Sequence, residues 1–241
     1  MKIKKYLVGL QPTGKIHIGN YLGCLAKGLR LQEEGHDVTF LIANYHSLTT
    51  DSYSEITEKE LKRLGCKNVK YQTPEYTEIF FKLCCKMNLG TLLKMPQYKD
   101  KKDSVDFDLG LLLYPVLMAA DIIINDPDVV IVGKDQVAHL ELVNDISKRI
   151  GIKKRFEYEF GDVDKISSLI DPEIKMSKSS GEKHVLYLFN EDYEEKLKKA
   201  NMTEDGLKNL KLIGDYFQIE YNGMNLEYKQ KIAEAMRNKF K

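Results

Sequence analysis

The stretch Gly9-Leu-Gln-Pro-Thr-Gly-Lys-Ile-His-Ile-Gly-Asn-Tyr-Leu-Gly23 joins two segments of different periodicity. The apolar run at residues 6–8, directly before it, is typical of a buried strand. After it, the apolar residues between Leu22 and Leu29 recur at a helical spacing. The stretch is therefore predicted to be a loop between the carboxyl end of a strand and the amino end of a helix. In open parallel sheets such loops bind ligands, and helix amino termini attract phosphate.

The same loop fits two sequence patterns. Gly9, Gly14 and Lys15 have the spacing of a P-loop, but Ile16 stands where that motif needs a hydroxyl to hold magnesium. The segment Pro12-Thr-Gly-Lys-Ile-His-Ile-Gly-Asn20 instead resembles the HIGH signature of class I aminoacyl-tRNA synthetases. That signature has a partner loop far downstream, Lys-Met-Ser-Lys-Ser, and residues 175–179 have this sequence letter for letter. The two motifs in this order favour the second interpretation.

The composition is that of an ordinary globular protein. Its 241 residues are 43% hydrophobic and 30% charged, enough for one large or two small domains. Lys and Arg (37) nearly balance Asp and Glu (36), so any nucleic acid must bind to local basic patches. The four cysteines form no C-x-x-C pair, which indicates a reducing, cytoplasmic compartment and no structural zinc. We expect no signal peptide, no membrane-spanning segment and no membrane partner.

Strand and helix patterns alternate along most of the chain. Strands are predicted at 6–10, 38–42, 69–71 and 129–132, and helices at 20–34, 54–65, from Pro74 onward, 109–124 and 136–149. Residues 94–106 are expected to be a polar loop, and 156–174 a segment leading to the loop at 175–179. Three helical pieces follow, near 190–200, 206–217 and 226–240. The pattern predicts a doubly wound, Rossmann-like α/β fold with a small α-helical C-terminal domain.

The domain boundary is predicted where the alternation ends. Residues 1–182 would form the catalytic domain, with a short connecting insertion at about 50–105 and the 175–179 loop. Residues 183–241 would form a reduced α-helical domain of the tRNA- or anticodon-binding type.

Few side chains stand out before any resemblance is used. Asp121 interrupts the longest apolar run and shares a helical face with Tyr114 and Met118, and a carboxylate is rarely buried without a partner. A cap for a following turn is the alternative for this residue. His46 lies in a polar loop after the second strand and reads most simply as a loop histidine. His139 and Glu141 lack the H-E-x-x-H spacing, so no metal site is predicted.

Two further motifs extend the resemblance. Tyr114-Pro-Val-Leu-Met-Ala-Ala-Asp-Ile122, Val132-Gly-Lys-Asp-Gln-Val-Ala-His-Leu-Glu-Leu142 and residues 175–179 follow the first loop in the family's order. The chain thus resembles the tryptophanyl/tyrosyl subgroup of class I aminoacyl-tRNA synthetases, and most of all its tryptophan-specific branch, over roughly residues 6–190. It departs from that family in three respects: Asn20 ends the HIGH-type signature, the connecting region is shorter, and the helical C-terminal domain is reduced.

The resemblance implies a role for individual residues. It implies that the amino-acid pocket is lined by Leu7, Gln11, His46, Gln97, Tyr114, Met118, Asp121, Val130, Val132 and Gln136. It implies that ATP is bound by Gln11, Thr13, His17, Gly19, Asn20, Gly133, Asp135, Ile166, Lys175, Met176 and Lys178. Catalysis would depend on Gln11, Lys101, Lys175 and Lys178. In this scheme Asp135 contacts the ribose and the lysines reach the phosphates.

The implied activity is that of a tryptophan–tRNA ligase. ATP and Mg²⁺ would be required, and the partners would be L-tryptophan, tRNA(Trp) and a second copy of the chain in a homodimer. Two alternatives stay open. The chain could be a tyrosine–tRNA ligase, because a pocket carboxylate can accept from a phenol as well as from an indole. It could also be a regulatory protein that binds tryptophan and the adenylate but does not charge tRNA.

Overall fold

The structure is a computed structural model that describes residues 2–49, 52–101 and 108–241, without the side chains of residues 100 and 101. Its contacts divide the chain into two compact units. The first contains residues 1–14 and 24–161, and the second contains residues 15–23 and 162–241. The functional boundary between residues 182 and 183 stays a prediction.

The first unit is built on a parallel five-stranded sheet. Its strands are β1 (Lys5–Leu10), β2 (Asp37–Ile42), β3 (Asn68–Tyr71), β4 (Val129–Val132) and β5 (Glu157–Phe160). They lie in the order β3-β2-β1-β4-β5, which confirms the doubly wound α/β fold. The chain turns from one half of the sheet to the other where β1 and β4 lie side by side. In such sheets ligands bind at the carboxyl ends of the strands on either side of this switch point.

One strand escaped the sequence analysis. β5 has the sequence Glu-Tyr-Glu-Phe at the edge of the sheet, and none of its residues is fully buried. Because an edge strand needs no continuous apolar run, its pattern gave no strand signal within the segment 156–174.

The described helices flank the sheet or follow it in sequence. They are α1 (Ile18–Asn20), α2 (Ala26–Glu33), α3 (Ile56–Arg63), α4 (Pro74–Cys84), α5 (Leu89–Leu92), α6 (Pro96–Lys101), α7 (Leu109–Asn125), α8 (Val137–Arg149), α9 (Tyr193–Lys198), α10 (Glu204–Tyr216) and α11 (Asn225–Lys239). A π-helical turn, Tyr21–Leu25, joins α1 to α2 within the single helix predicted at 20–34. A polar loop was predicted at 94–106, and this was wrong for Pro96–Lys101, which form α6. Residues 102–107 lie outside the described part of the chain.

The core of the first unit lies between the sheet and α7 with α8. Val116, Ala119 and Ala120 of α7 pack in one buried cluster with Val130 of β4 and Leu140 of α8. On another helix, a side chain at Gly28 would meet Val8 at 2.9 Å and Phe40 at 3.0 Å, so only glycine lets α2 approach so closely.

The second unit is mainly helical. Helices α9, α10 and α11 confirm the three predicted helical pieces, and Tyr21 packs edge-on against Tyr216 and Phe240. Two short 3₁₀ turns, Lys178–Ser180 and Glu182–His184, precede these helices. Within residues 2–49, 52–101 and 108–241, no helix is both long and apolar enough to cross a membrane.

Candidate functional site

A buried carboxylate lies at the centre of the first candidate cluster. Asp121 is in the interior of α7 and only 5% exposed, and both of its oxygens accept hydrogen bonds. His46 Nε2 lies 2.9 Å from Oδ2, and Gln72 Nε2 donates to Oδ1. Both partners are buried as well. Because Asp121 is bonded by side chains from two other segments, it is a structured polar centre and not a cap for the following turn.

Gln72 is held so that its amide can only donate to this carboxylate. Its Oε1 accepts from the backbone N–H of Tyr45 at 2.6 Å, so Nε2 must face the other way, towards Asp121. Its backbone N–H donates to Asn44 Oδ1 at 2.9 Å. A carboxylate has about four acceptor positions, so a further donor can still be accommodated on Asp121. We call Asp121, His46 and Gln72 the carboxylate cluster.

Tyr114 joins this cluster to a second one. Its ring meets that of His46 edge-on at 4.6 Å and that of His139 at 5.6 Å between centroids. Burial and the negative charges of Asp121 and Asp135 raise the pKa of Tyr114 to about 12, so its hydroxyl stays protonated at neutral pH. His139 Nδ1 is 2.8 Å from Gln136 Oε1, and its Nε2 is 2.8 Å from Gln97 Oε1.

Other predicted residues of the first unit lie on the same strands and connections. Leu7 of β1 and Val130 and Val132 of β4 are buried next to the switch point, and Met118 on α7 packs against the same core. Gln11 and Thr13 follow the carboxyl end of β1. Gly133 caps the turn after β4, where a side chain would meet the Asp135 carboxylate at 2.6 Å.

The second candidate region is the turn at His17 in the second unit. Asn20 N–H donates to His17 Nδ1, and His17 N–H donates to Asn20 Oδ1, both at 3.3 Å. Ile18 N–H donates to Leu186 O at 2.9 Å, which ties the turn to the chain after the 175–179 loop. A side chain at Gly19 would lie 3.0 Å from His17 Nδ1, so glycine at this position leaves room for the His17 ring.

The charge at this turn comes from the 175–179 loop. Burial, followed by the positive charges of Lys178 and Lys175, lowers the pKa of His17 to about 3. His17 is therefore neutral at physiological pH. Since Nδ1 accepts a hydrogen bond, the ring proton is on Nε2. Both lysines consequently act electrostatically on the histidine of the first motif, as two parts of one phosphate-binding region would.

Backbone contacts hold the 175–179 loop. Met176 is buried, and its N–H donates to Ile166 O at 2.9 Å. Ser177 caps the turn that carries Lys178, while Lys175 is exposed. We call His17, Gly19, Asn20, Ile166 and residues 175–178 the nucleotide region, after the role that the resemblance implies for them.

Most of these residues were predicted site residues, and two of their hydrogen-bonding partners were not. The first unit contains the predicted amino-acid pocket with Gly133 and Asp135, and the second contains the nucleotide region. The side chain of Lys101 lies outside the described part. Gln72 and His139 were not predicted as site residues. Gln72 directly follows β3, so its place at the carboxyl edge of the sheet was the signal that could have found it.

Comparisons with known proteins agree with this geometry. The family described as tRNA synthetases class I (W and Y) matches residues 2–71 and 66–240. The tryptophan–tRNA ligase of Helicobacter pylori J99 is 32% identical, with 99% of this chain and 81% of the relative aligned. The tryptophanyl-tRNA synthetase structure from Mycoplasma pneumoniae overlays with a TM-score of 0.83 at 29% identity, covering 98% of this chain and 85% of that one. The Campylobacter jejuni enzyme, solved with ADP and tryptophan, gives 0.74 at 26% identity, with 98% and 86% covered.

Proposed function

The chain belongs to the class I tRNA synthetases of the W and Y group, and from that premise we propose that it is a tryptophan–tRNA ligase. It activates L-tryptophan with ATP and then transfers the tryptophanyl group to tRNA(Trp). The relatives named above carry this activity in their names, and the motifs that the family uses for it are present.

The carboxylate cluster selects tryptophan among the amino acids. An indole has one neutral N–H donor, and Asp121 is an acceptor that keeps room for such a donor. An amino acid without a donor would leave the buried carboxylate incompletely bonded, which costs binding free energy. Tyr114, Met118, Val130 and Val132 supply the apolar surroundings of the ring, and Leu7 lies beside them on β1.

The activation step needs no covalent bond to the protein. A carboxylate oxygen of tryptophan attacks the α-phosphorus of ATP, the new O–P bond forms, and the bond to the β-phosphate oxygen breaks to release pyrophosphate. Lys175 and Lys178 counter the negative charge that develops on the phosphates, and the His17–Asn20 turn supplies a neutral imidazole whose Nε2 carries the proton. Lys101 and Gln11 are proposed to assist at the phosphates, Thr13 to contact ATP, and Asp135 to bind the ribose.

The second step releases AMP. A hydroxyl of the terminal adenosine of the tRNA attacks the carbonyl carbon, the ester forms, and the bond to the adenylate phosphate breaks. Mg²⁺ would arrive with ATP as part of the substrate, because this ion is commonly bound through substrate phosphates. We further propose that residues 183–241 contact the tRNA.

The proposal includes a homodimer in the cytoplasm. The side chains of Phe81 on α4 and Leu89 on α5 are 69% and 60% exposed, which supports an interface with a second copy on these helices. The four cysteines all lie in the described part of the chain and form no disulfide there, which suits a reducing compartment.

Pyrophosphate exchange with each of the twenty amino acids tests the assignment. Exchange that depends on tryptophan, followed by charging of a tRNA(Trp) transcript, is the expected result. Exchange with tyrosine alone would support the tyrosine ligase. Binding of tryptophan without exchange or charging would support the regulatory protein.

A further inference from the structure

The 175–179 loop continues one strand of a small antiparallel pair. Met176 N–H donates to Ile166 O at 2.9 Å, and Ser168 N–H donates to Ile174 O at 2.8 Å. Ser167 lies between the two bonded residues of the other strand. Because the hydrogen-bonding groups of an antiparallel strand alternate in direction, the N–H and C=O groups of Ser167 face away from the loop.

One side chain takes the place of a third strand beside Ser167. Asn209 on α10 accepts from Ser167 N–H through its Oδ1 at 2.8 Å, and its Nδ2 donates to Ser167 O at 2.9 Å. The same Nδ2 lies 3.5 Å from Ser168 O. Asn209 is only 6% exposed, so little water competes for these bonds. Two hydrogen bonds from one amide therefore fix both the position and the direction of Ser167.

The chain after the loop returns to the same place. Ser168 Oγ accepts two backbone N–H groups at 3.2 Å, so its own hydrogen is donated to His184 Nδ1 at 2.8 Å. Leu169 N–H donates to His184 O at 3.2 Å. Residues 167–169 and His184 thus form a common base for the loop, and Asn209 holds this base from α10.

We propose that Asn209 is a positioning residue for the phosphate-binding lysines, acting through the base of the 175–179 loop. While Ser167 is fixed, the strand that it belongs to holds Met176, and Lys175 and Lys178 extend from a fixed base. Without the amide, the N–H and C=O groups of Ser167 lose their partner and the base can shift. The lysines must then be ordered during the reaction itself, which slows activation. This inference rests on the proposed function, because it takes adenylate formation as the reaction.

A double-mutant cycle with Lys178→Ala tests the inference. Asn209→Leu keeps the approximate size of the side chain and removes both hydrogen bonds, so the single-turnover rate of adenylate formation should fall about tenfold. In the Lys178→Ala background the same change should slow the reaction only about twofold, because a lysine through which Asn209 acts is already absent. The Kd of tryptophan, measured by calorimetry without ATP, should stay as in the parent, since its predicted pocket lies in the first unit.

Asn144→Leu is the matched control. Asn144 on α8 pairs in the same way with the N–H and C=O groups of Phe156, at 2.9 and 3.2 Å, but Phe156 directly precedes β5. This variant should lose thermal stability and keep the rate of its background. Equal slowing by Asn209→Leu in both backgrounds, with an active parent, would contradict the inference alone. A parent that does not activate tryptophan would contradict the proposed function, and this inference would fall with it.

A measurement on the parent protein covers the case in which Asn209→Leu does not fold. Amide hydrogen exchange, followed by NMR, should show the N–H of Ser167 protected to about the same extent as that of Met176, because both belong to the same antiparallel pair. Exchange at Ser167 as fast as in an unfolded peptide would show that Asn209 does not hold this strand, and would overturn the proposal.

Discussion

The carboxylate cluster and the nucleotide region differ in how far their charged side chains are buried. Asp121, His46 and Gln72 are all buried, and they hydrogen-bond one another. In the nucleotide region Lys175 is exposed, and Lys178 lies on a short turn of a loop. A rigid buried acceptor suits selection, because a wrong ligand leaves it incompletely bonded. Long, flexible lysines suit phosphate chemistry, because they can follow a charge that moves during the reaction.

The largest effect is expected from removing the acceptor of the carboxylate cluster. The parent should prefer tryptophan to phenylalanine by roughly 10⁴ or more in kcat/KM for pyrophosphate exchange, since phenylalanine has no donor for Asp121. Asp121→Ala should weaken tryptophan activation and narrow this ratio. Tyrosine should be rejected mainly by shape and hence less strongly. If Asp121→Ala activates tryptophan as the parent does, the carboxylate has no part in selection.

A smaller effect, confined to the rate, is expected in the nucleotide region. Lys178→Ala should slow adenylate formation by a factor of about 10² to 10³, because a charge contact made mainly in the transition state is lost. Lys183→Ala removes a nearby exposed lysine and should leave the rate unchanged. Single-turnover kinetics measure both variants. Equal rates for Lys178→Ala and the parent would show that this lysine does not contribute to activation.

An effect smaller than that of Lys178→Ala is expected if the buried hydrogen bonds orient Asp121. Gln72→Met keeps the volume of the side chain but removes its donor, so tryptophan should be activated about ten- to a hundredfold less well in kcat/KM. Gln32→Met is the control, because the Gln32 amide also accepts from a backbone N–H, that of Lys67, but donates to a backbone carbonyl, that of Gly65, and not to a carboxylate. It should reduce thermal stability without changing the ratio of tryptophan to phenylalanine. If the ratio of kcat/KM for tryptophan to that for phenylalanine were similar in the two variants, Gln72 would have no orienting role.

The smallest effect concerns stability and pH. Because the pKa of His17 is about 3 in the folded protein and 6.5 in the unfolded chain, only the unfolded chain takes up this proton between those values. The free energy of unfolding should therefore fall as pH falls below 6.5, by up to about 1.4 kcal/mol per pH unit from this group. His17→Asn retains an N-cap and should lose that part of the dependence. Urea unfolding from pH 6.5 to 5 measures the difference, and parallel curves for the two proteins would contradict it.

Local patterns in the sequence were sufficient for most of the fold. The apolar runs that became β1, β2 and β4 and the helical spacing of α7 and α8 are visible within short windows, because burial of one face demands that periodicity. The order of these elements then implied the parallel sheet, and the loops at 9–23 and 175–179 implied the family. A half-exposed edge strand such as β5 does not need an apolar run or a periodic apolar face, and the sequence analysis therefore missed it.

Only the tertiary structure decided which polar side chains work together. From the residues alone His46 looked like an ordinary loop histidine, and only the resemblance assigned it to the pocket. His139 lay within a quoted motif without a role of its own, and Gln72 lay in none, yet each of the three hydrogen-bonds a predicted site residue. The partner of His46 and Gln72 lies far from both in sequence: Asp121 is 75 residues from His46 and 49 from Gln72. Periodicity reports which face of an element is buried, because burial acts on each residue separately. A hydrogen bond depends on the position and direction of two groups at once, and the folded chain alone brings those groups within reach of each other.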